Sequence, residues 1–239
     1  MNKERLKTGL ETMGVAADET ALDRFEAFHA ILDEYNARMD LTAVLDEDER
    51  VDRHDLDSAA PLAHGLLVQG AKVIDVGTGA GFPGMPLLIL RPDLQITFLD
   101  ALNKRILFLE DALKRLGLTA ATLHARAEDA AKMAAHREQY DAAVSRAVAN
   151  AATLEELTLP FVKKGGVAIA WKGPGVADEL TAARRAAFLL GGTVRGTVDA
   201  PIPRRADWAH VLLLTDKTGT TPKAYPRKAG TPGKKPLGM

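Results

Sequence analysis

The feature that most constrains the fold is a series of short apolar runs, each of strand length, that begins near residue 71. Helical segments separate most of these runs, and this alternation is typical of a mainly parallel sheet covered by helices on both faces. Right-handed crossovers then limit the topology to a doubly wound α/β sandwich. The predicted strands are Lys72–Val76, Gln95–Leu99, Ala121–His124, Tyr140–Val144, Val167–Trp171 and His210–Leu214.

Helices are predicted before the first strand as well as between the strands. Apolar residues recur at steps of three and four from Leu22 to Met39, which places them on one face of a long helix. A shorter helix around Leu6 and Leu10 ends at Gly14, and a further one covers Glu47–Ser58. The predicted helices between strands are Pro83–Leu90, Lys104–Leu116, Glu128–Met133, Ala151–Val162 and Ala177–Leu190.

Length and composition describe an ordinary globular protein. A chain of 239 residues can bury one core with a small extension. We expect a helical extension over residues 1–66, a core over residues 67–221 and a basic tail over residues 222–239. The absence of cysteine excludes disulfides and thiolate metal sites, and the six histidines have no ligand spacing, so no metal is predicted. The N-terminus is charged and no apolar run approaches the ~18 residues of a membrane span, so we expect a cytoplasmic protein without a membrane partner. We also expect a monomer.

The formal net charge of -1 hides an uneven distribution of charge along the chain. Residues 1–70 hold 16 acidic and 7 basic side chains, whereas residues 71–239 hold 16 acidic and 24 basic ones. A polyanion responds to the local field, so the basic part can bind phosphates although the whole chain is nearly neutral. An unevenly charged, solvated surface is an equally good interpretation of this asymmetry.

The strongest local motif is the segment DVGTGAGFPG over residues 75–84, which follows the first strand and opens a helix. Glycines there let a ligand approach the main chain closely, and doubly wound folds bind ligands at this edge of the sheet. Residues 79–84 satisfy the weak GxGxxG pattern of dinucleotide binding. Asp75, however, would repel a pyrophosphate but suits a ligand with an ammonium and a sulfonium group, such as S-adenosylmethionine. The candidate cofactor contacts in this loop are Asp75, Gly77, Gly79, Gly81 and Phe82.

Other polar residues follow the later strands and are expected at the same edge. Asp100 ends the second strand, where an acid can accept hydrogen bonds from ribose hydroxyls. Ala127 and Glu128 follow the third strand and either bracket an adenine edge or simply begin a helix. Arg146 and Lys172 follow the fourth and fifth strands. A lone cation at a strand end is usually solvated, but two on neighbouring strands favour a site.

Read together, these motifs closely resemble the RsmG/GidB family of bacterial 16S ribosomal RNA guanine-N7 methyltransferases. The resemblance runs from the second helix to the tail. Its motifs are YNARMDLTAV (35–44), RHDLDS (53–58), DVGTGAGFPGMPL (75–87), KRILFL (104–109), RAE (126–128), SRAVA (145–149) and YPRKAGTPGKKPL (225–237).

The resemblance implies a class I methyltransferase fold with an antiparallel final strand, S-adenosylmethionine as cofactor and 16S ribosomal RNA or the small ribosomal subunit as partner. It also implies cofactor contacts at Gly77, Phe82, Ala127, Glu128 and Arg146. Two positions depart from the family pattern: Asp40 stands where Asn is usual, and Ala101 where Ser is usual. The first departure puts in doubt a substrate hydrogen bond donated by that side chain.

Methylation at guanine N7 needs no general base, because the nitrogen carries a lone pair in the neutral base. The protein would instead align N7, the methyl carbon and the sulfonium sulfur. The candidate guanine-positioning residues are Asn36, His54, Asp57, Arg146 and Lys172. The tail is expected to be ordered and extended, and to attract RNA phosphates through Lys223, Arg227, Lys228, Lys234 and Lys235.

Three alternatives remain open from the sequence. A nicotinamide-dependent oxidoreductase would use the same glycine loop, but no second substrate domain is visible. A non-enzymatic module that binds RNA or S-adenosylmethionine would retain the loop without catalysis. A methyltransferase acting on another RNA, a protein or a small molecule would share all of these motifs.

Overall fold

A single seven-stranded sheet forms the centre of the computed structural model, which describes residues 1–239. The strands are β1 (Lys72–Val76), β2 (Gln95–Asp100), β3 (Ala121–His124), β4 (Tyr140–Arg146), β5 (Val162–Lys172), β6 (Gly192–Asp199) and β7 (Val211–Lys217). Their order is β3-β2-β1-β4-β5-β7-β6, with β7 antiparallel to both of its neighbours and the remaining pairs parallel. The predicted doubly wound α/β sheet with an antiparallel final strand is therefore confirmed.

Ten α-helices surround the sheet and precede it. They are α1 (Lys3–Thr12), α2 (Glu19–Met39), α3 (Glu47–Arg50), α4 (Asp57–Ala63), α5 (Gly84–Leu90), α6 (Asn103–Leu116), α7 (Ala127–Ala130), α8 (Ala151–Thr158), α9 (Val176–Leu189) and α10 (Thr231–Lys234). Asp18 caps the start of α2 by accepting the Ala21 N–H at 2.8 Å. No helix in the chain combines the length and the apolar character that crossing a bilayer requires.

Strand β6 is absent from the sequence prediction. It is an edge strand with one exposed face, so its segment GTVRGTVD lacks the continuous apolar run that marks a central strand. Gly196, at φ +139°, accompanies a break in its register with β7 between Val194 and Gly196. Only Gly192 and Val194 of this strand are buried. This explains why its hydrophobic pattern is weak.

The segment predicted as one helix over Glu47–Ser58 contains a change of helix type. A π-helix, Val51–Leu56, connects α3 to α4. Single π-helical turns are rare and recur at functional sites, because the wider turn changes the direction of the side chains that follow. Here the turn carries His54 and leads directly into Asp57.

The N-terminal helices share a core with one half of the sheet. The ring of Phe28 lies edge-on to Phe82, with centroids 5.7 Å apart, and also packs on Phe108 of α6. Phe25 and Phe28 are completely buried. The helical extension is thus packed directly against the loop that follows β1.

The last 18 residues fold back onto the core. Tyr225 and Leu237 pack against the second hydrophobic core, which lies beneath α8 and α9. The segment is ordered, as expected, but it is not extended throughout, because turns and the short helix α10 occur within it.

Candidate functional site

A cleft of about 720 Å³ opens at the carboxyl edge of the parallel strands, where the chain order reverses between β1 and β4. The loops after β1, β2, β3 and β4 form most of its walls. The lining residues used below are Thr42, His54, Gly77, Gly79, Phe82, Asp100, Arg105, Ala127, Glu128, Arg146, Val148, Gly230, Pro232 and Gly233.

The glycine loop is held by backbone hydrogen bonds at the end of β2. The N–H groups of Gly77 and Thr78 both donate to the Leu99 carbonyl, at 2.8 and 3.1 Å. Gly77 has φ +73°, and a Cβ there would come within 2.8 Å of Val148 Cγ2. A side chain at this position would therefore strain the turn and collide with the loop after β4.

Gly81 does not reach the cleft, in contrast to the sequence prediction. It has φ +92°, and a Cβ would approach Met85 and Leu109 to 2.7 and 2.8 Å. The residue is a glycine because the loop packs tightly against the core below it. Its contribution to ligand binding is therefore the shape of the loop rather than a contact.

Asp75 also lies beneath the loop, so the prediction that its carboxylate faces a cationic ligand is wrong. The side chain is fully buried, and its Oδ2 accepts hydrogen bonds from Thr78 Oγ1 at 2.6 Å and from the Gly84 N–H at 3.0 Å. Burial raises the pKa of Asp75 to about 6. The strand directs this side chain into the interior, where it fixes both ends of the loop.

Asp100 presents its carboxylate to the cleft. Its Oδ2 accepts the Gly79 N–H at 3.0 Å and lies 3.2 Å from Arg105 Nη1, and its Oδ1 accepts the Leu102 N–H at 2.8 Å. These contacts hold the carboxyl group rigid at the end of β2. Carboxylate oxygens accept further hydrogen bonds from ligand hydroxyls when they have free lone pairs.

Ala127 and Glu128 form the wall of the cleft after β3, as the sequence suggested. The side chain of Glu128 does not cap its own helix. Its Oε1 instead accepts the N–H of Gly230 at 2.7 Å, which belongs to the C-terminal segment. Gly230, Pro232 and Gly233 complete the cleft on this side. Sequence reasoning missed this role, because nothing in the spacing of the tail motif indicates where it folds back.

A second hollow of about 480 Å³ adjoins the cleft. Both are lined by His54, Arg146, Ala147 and Ala149, so the two spaces meet at these residues. Four of the five residues predicted to position a base line the hollow: His54, Asp57, Arg146 and Lys172.

Arg146 occupies the junction between the two spaces. Its Nη1 donates to the Arg53 carbonyl at 2.7 Å and to Asp57 Oδ2 at 2.9 Å. The guanidinium also lies over the Phe82 ring, 5.4 Å from its centroid. The planar fork thus connects the π-helix, the start of α4 and the glycine loop.

His54 stacks on the same Phe82 ring. Its imidazole lies 4.4 Å from the Phe82 centroid at an interplanar angle of 21°. Burial, with the nearby Arg146 charge, lowers the pKa of His54 to about 3, so the ring is neutral. Arg146 Nη2 lies 3.4 Å from Nδ1, and Nε2 forms a hydrogen bond with Thr42 Oγ1 at 2.9 Å.

Asp57 and Lys172 are held by partners that the sequence did not reveal. Asp57 Oδ1 lies 3.0 Å from His210 Nδ1, opposite its contact with Arg146. The Lys172 ammonium donates to Glu179 Oε2 at 2.8 Å, from the first turn of α9. His210 and Glu179 were missed because their partners are 153 and 7 residues away along the chain, and neither belongs to a recognised motif.

Asn36 is not part of either space, which corrects its prediction as a base-positioning residue. Its Oδ1 accepts the N–H groups of Leu41 and Thr42 at 2.6 and 2.9 Å, and its Nδ2 donates to the Thr42 carbonyl at 3.0 Å. All of these bonds close the loop after α2. Asp40 lies in that loop at φ +49°, a left-handed conformation that Asp and Asn tolerate. Asn36 therefore positions Thr42, the hydrogen-bond partner of His54.

Comparison with known proteins supports one family. Residues 21–204 match the model of the family described as GidB, rRNA small subunit methyltransferase G. The ribosomal RNA small subunit methyltransferase G of Clostridium perfringens (strain 13 / Type A) is 41% identical over 233 residues, which covers 97% of each chain. The protein of the same name from Alkaliphilus metalliredigens (strain QYMF) is 43% identical over 237 residues, 99% of each chain. The chain belongs to this family.

Solved structures agree on the fold. The Methanococcus jannaschii fibrillarin pre-rRNA processing protein superposes with a TM-score of 0.52 at 16% identity, covering 67% of this chain and 81% of that one. The [4+2]-cyclase SpnF superposes with a TM-score of 0.54 at 14% identity, covering 82% and 94%. Because one of these proteins is named as a cyclase and the other as a pre-rRNA processing protein, the likeness concerns architecture alone.

Proposed function

We propose that this protein transfers the methyl group of S-adenosylmethionine to N7 of a guanine in 16S ribosomal RNA of the small subunit. The observation that carries the proposal is the junction at His54 and Arg146, where the cleft meets the hollow. Methyl transfer requires two binding spaces that meet at the reacting atoms, one for the donor and one for the acceptor. Membership of a family of ribosomal RNA small subunit methyltransferases supports the choice of acceptor.

The cleft fits the proposed cofactor. Asp100, held rigid at the end of β2, suits the ribose hydroxyls, while the glycine loop leaves the main chain open to close approach. Ala127 and Glu128 would hold the adenine edge, and Gly77, Gly79, Phe82 and Arg146 the remainder. The cofactor supplies a methyl group activated by the sulfonium charge. Asp75 and Gly81 support this arrangement from below through the loop.

The hollow suits the Hoogsteen edge of guanine, which presents the acceptors N7 and O6. Arg146 and Lys172 supply donors for O6 or the nucleotide phosphate. His54 is neutral, so its flat ring carries no positive charge that would repel a sulfonium or the cationic product base. Asp57, held between Arg146 and His210, supplies negative charge near the ring as that positive charge develops. No proton must be removed, so no general base is needed.

The experiment that tests this proposal measures transfer from labelled S-adenosylmethionine to small subunits purified from cells that lack the protein. Digestion to nucleosides should yield label as N7-methylguanosine. Free 16S ribosomal RNA, assayed in parallel, shows which form is the acceptor. Label in another nucleoside would contradict the N7 assignment. Absence of transfer to either acceptor, with cofactor binding intact, would contradict the ribosomal assignment.

A further inference from the structure

The C-terminal segment, residues 222–239, lies outside the residues that match the family model, yet it lines the cleft. Pro232 is buried, and Gly230, Pro232 and Gly233 line the proposed cofactor space. The sequence favoured a role for this basic segment in attracting phosphates. Its position in the fold points to a different one.

Arg227 anchors the middle of the segment to a buried carboxylate. Glu156 is fully buried, and its Oε1 accepts the Arg227 backbone N–H at 2.7 Å while its Oε2 accepts Nη2 at 2.6 Å. The hydrogen bonds that Arg227 donates to Glu156 raise the pKa of the guanidinium further. Nη2 also donates to the Lys235 carbonyl at 2.7 Å, which closes the segment into a compact turn. Arg227 is thus held within the protein by Glu156 and the Lys235 carbonyl.

A second arginine anchors the beginning of the segment. Arg137 donates to the carbonyls of Thr221 and Tyr225 at 2.7 and 2.9 Å. The Thr221 N–H donates to Glu138 Oε1 at 2.7 Å. The chain is therefore fixed before it reaches the cleft, and the path of the next residues is restricted.

Two hydrogen bonds then join the segment to the cleft itself. The Gly230 N–H donates to Glu128 Oε1 at 2.7 Å, and Thr153 Oγ1 donates to the Pro232 carbonyl at 3.1 Å. Glu128 and Thr153 both line the cleft. Glu128 is also one of the proposed adenine contacts, so its side chain would contact both the ligand and the C-terminal segment.

We propose that residues 222–237 form one wall of the S-adenosylmethionine site at its adenine end, so that docking of this segment and cofactor binding stabilise each other. The inference rests on the proposed cofactor. A ligand that binds only the docked arrangement shifts the equilibrium toward it, and the coupling is reciprocal. The side chains of Lys234 and Lys235 are exposed and remain available to RNA.

Amide hydrogen exchange on the intact chain tests this coupling directly. Saturating S-adenosylhomocysteine should slow exchange in peptides from residues 222–239 by about tenfold or more, since opening of the segment then requires loss of the ligand. Peptides from β6, at the far edge of the sheet, serve as the control and should not change. Bound S-adenosylhomocysteine that leaves the segment's exchange unchanged would overturn the inference but not the proposed function. A full-length chain that binds no S-adenosylhomocysteine would contradict the proposed function itself.

Two variants separate cofactor binding from RNA binding. A chain that ends at Thr221 should bind S-adenosylhomocysteine about tenfold more weakly in calorimetry, because one wall of the site is missing. The double variant Lys234→Gln, Lys235→Gln should keep that affinity within about twofold, although its KM for small subunits rises. Unchanged cofactor affinity in the shortened chain would overturn the inference. If the shortened chain does not fold, hydrogen exchange on the intact chain decides the question.

Discussion

The junction between the cleft and the hollow depends on the shape of individual side chains. Arg146 contacts a carbonyl, a carboxylate and an imidazole with one planar group. Arg146 is predicted at this site from its position after the fourth strand, and His54 and Asp57 as residues that position the guanine. Asn36 belongs to an equally recognisable motif, but its side chain is used by the adjacent backbone. A motif therefore identifies the position of a residue more reliably than the direction of its side chain.

Arg146→Lys should lower the rate of methyl transfer about 100-fold, since an ammonium cannot maintain the three contacts of the guanidinium fork. The control is Arg115→Lys, which alters an exposed arginine paired with Glu34. Single-turnover transfer under saturating cofactor is the measurement. Equal rates in the two variants would show that the fork does not position the reacting groups.

The free energy of unfolding should depend on pH through the buried side chain of Glu155. It is buried, its Oε1 accepts a hydrogen bond from Thr215, and burial raises its pKa from 4.5 to about 8. Between those values the folded state holds a proton that the unfolded chain releases, so the free energy of unfolding falls as the pH rises. The decrease should amount to a few kcal/mol and should level off above about pH 8.

Denaturant unfolding of Glu155→Gln between pH 5 and 9 tests this assignment, because the variant should lose that slope. Glu110→Gln is a matched control: Glu110 also accepts a hydrogen bond from a threonine hydroxyl, that of Thr122, but it is exposed. The control should retain the slope of the wild type. A Glu155→Gln curve that is parallel to the wild type would assign the pH dependence elsewhere.

At the scale of elements, the sequence prediction is most complete in the interior of the sheet. Strands β1, β2, β4 and β5 are interior strands whose apolar runs are visible in the sequence, whereas β3, which was also predicted, is an edge strand with no buried residue. Strand β6 and the π-helix were missed, because an exposed edge strand has few apolar residues and one extra residue per helical turn leaves no compositional trace.

The π-helix is held by a buried carboxylate that joins three elements. Asp52 is fully buried and accepts hydrogen bonds from Arg5 Nε of α1 at 2.8 Å and from Arg205 Nε of the β6–β7 loop at 2.7 Å. Burial pushes the pKa of Asp52 upward, but these hydrogen bonds outweigh it, and the net shift is downward. Its stabilising contribution is therefore present at neutral pH and is lost as the pH falls through that lowered pKa.

Asp52→Asn should reduce the free energy of unfolding by about 3 kcal/mol, because the charges of Arg5 and Arg205 would then face a neutral amide. Asp23→Asn, which removes an exposed partner of Lys3, is the control and should cost less than about 1 kcal/mol. Urea unfolding at pH 7 compares the two. Similar losses in both variants would mean that Asp52 does not join these elements.

At the scale of the whole molecule, the fold class and the sheet edge that carries the site were predictable from local patterns. The return of the C-terminal segment to the cleft was not, because Arg227 and Glu156 are 71 residues apart and only the folded chain brings them together. The same applies to Asp57 and His210. Contacts between distant segments thus account for most of what the structure adds to the site.

Donor and acceptor should meet at the junction formed by His54 and Arg146. A crystal structure with a compound in which guanine N7 is linked through one carbon to the sulfonium position of the cofactor tests this arrangement. We expect the adenine end beside Glu128 and the C-terminal segment, and the guanine in the hollow between Arg146 and Lys172. A guanine that lies outside the hollow while the adenosyl part occupies the cleft would contradict it.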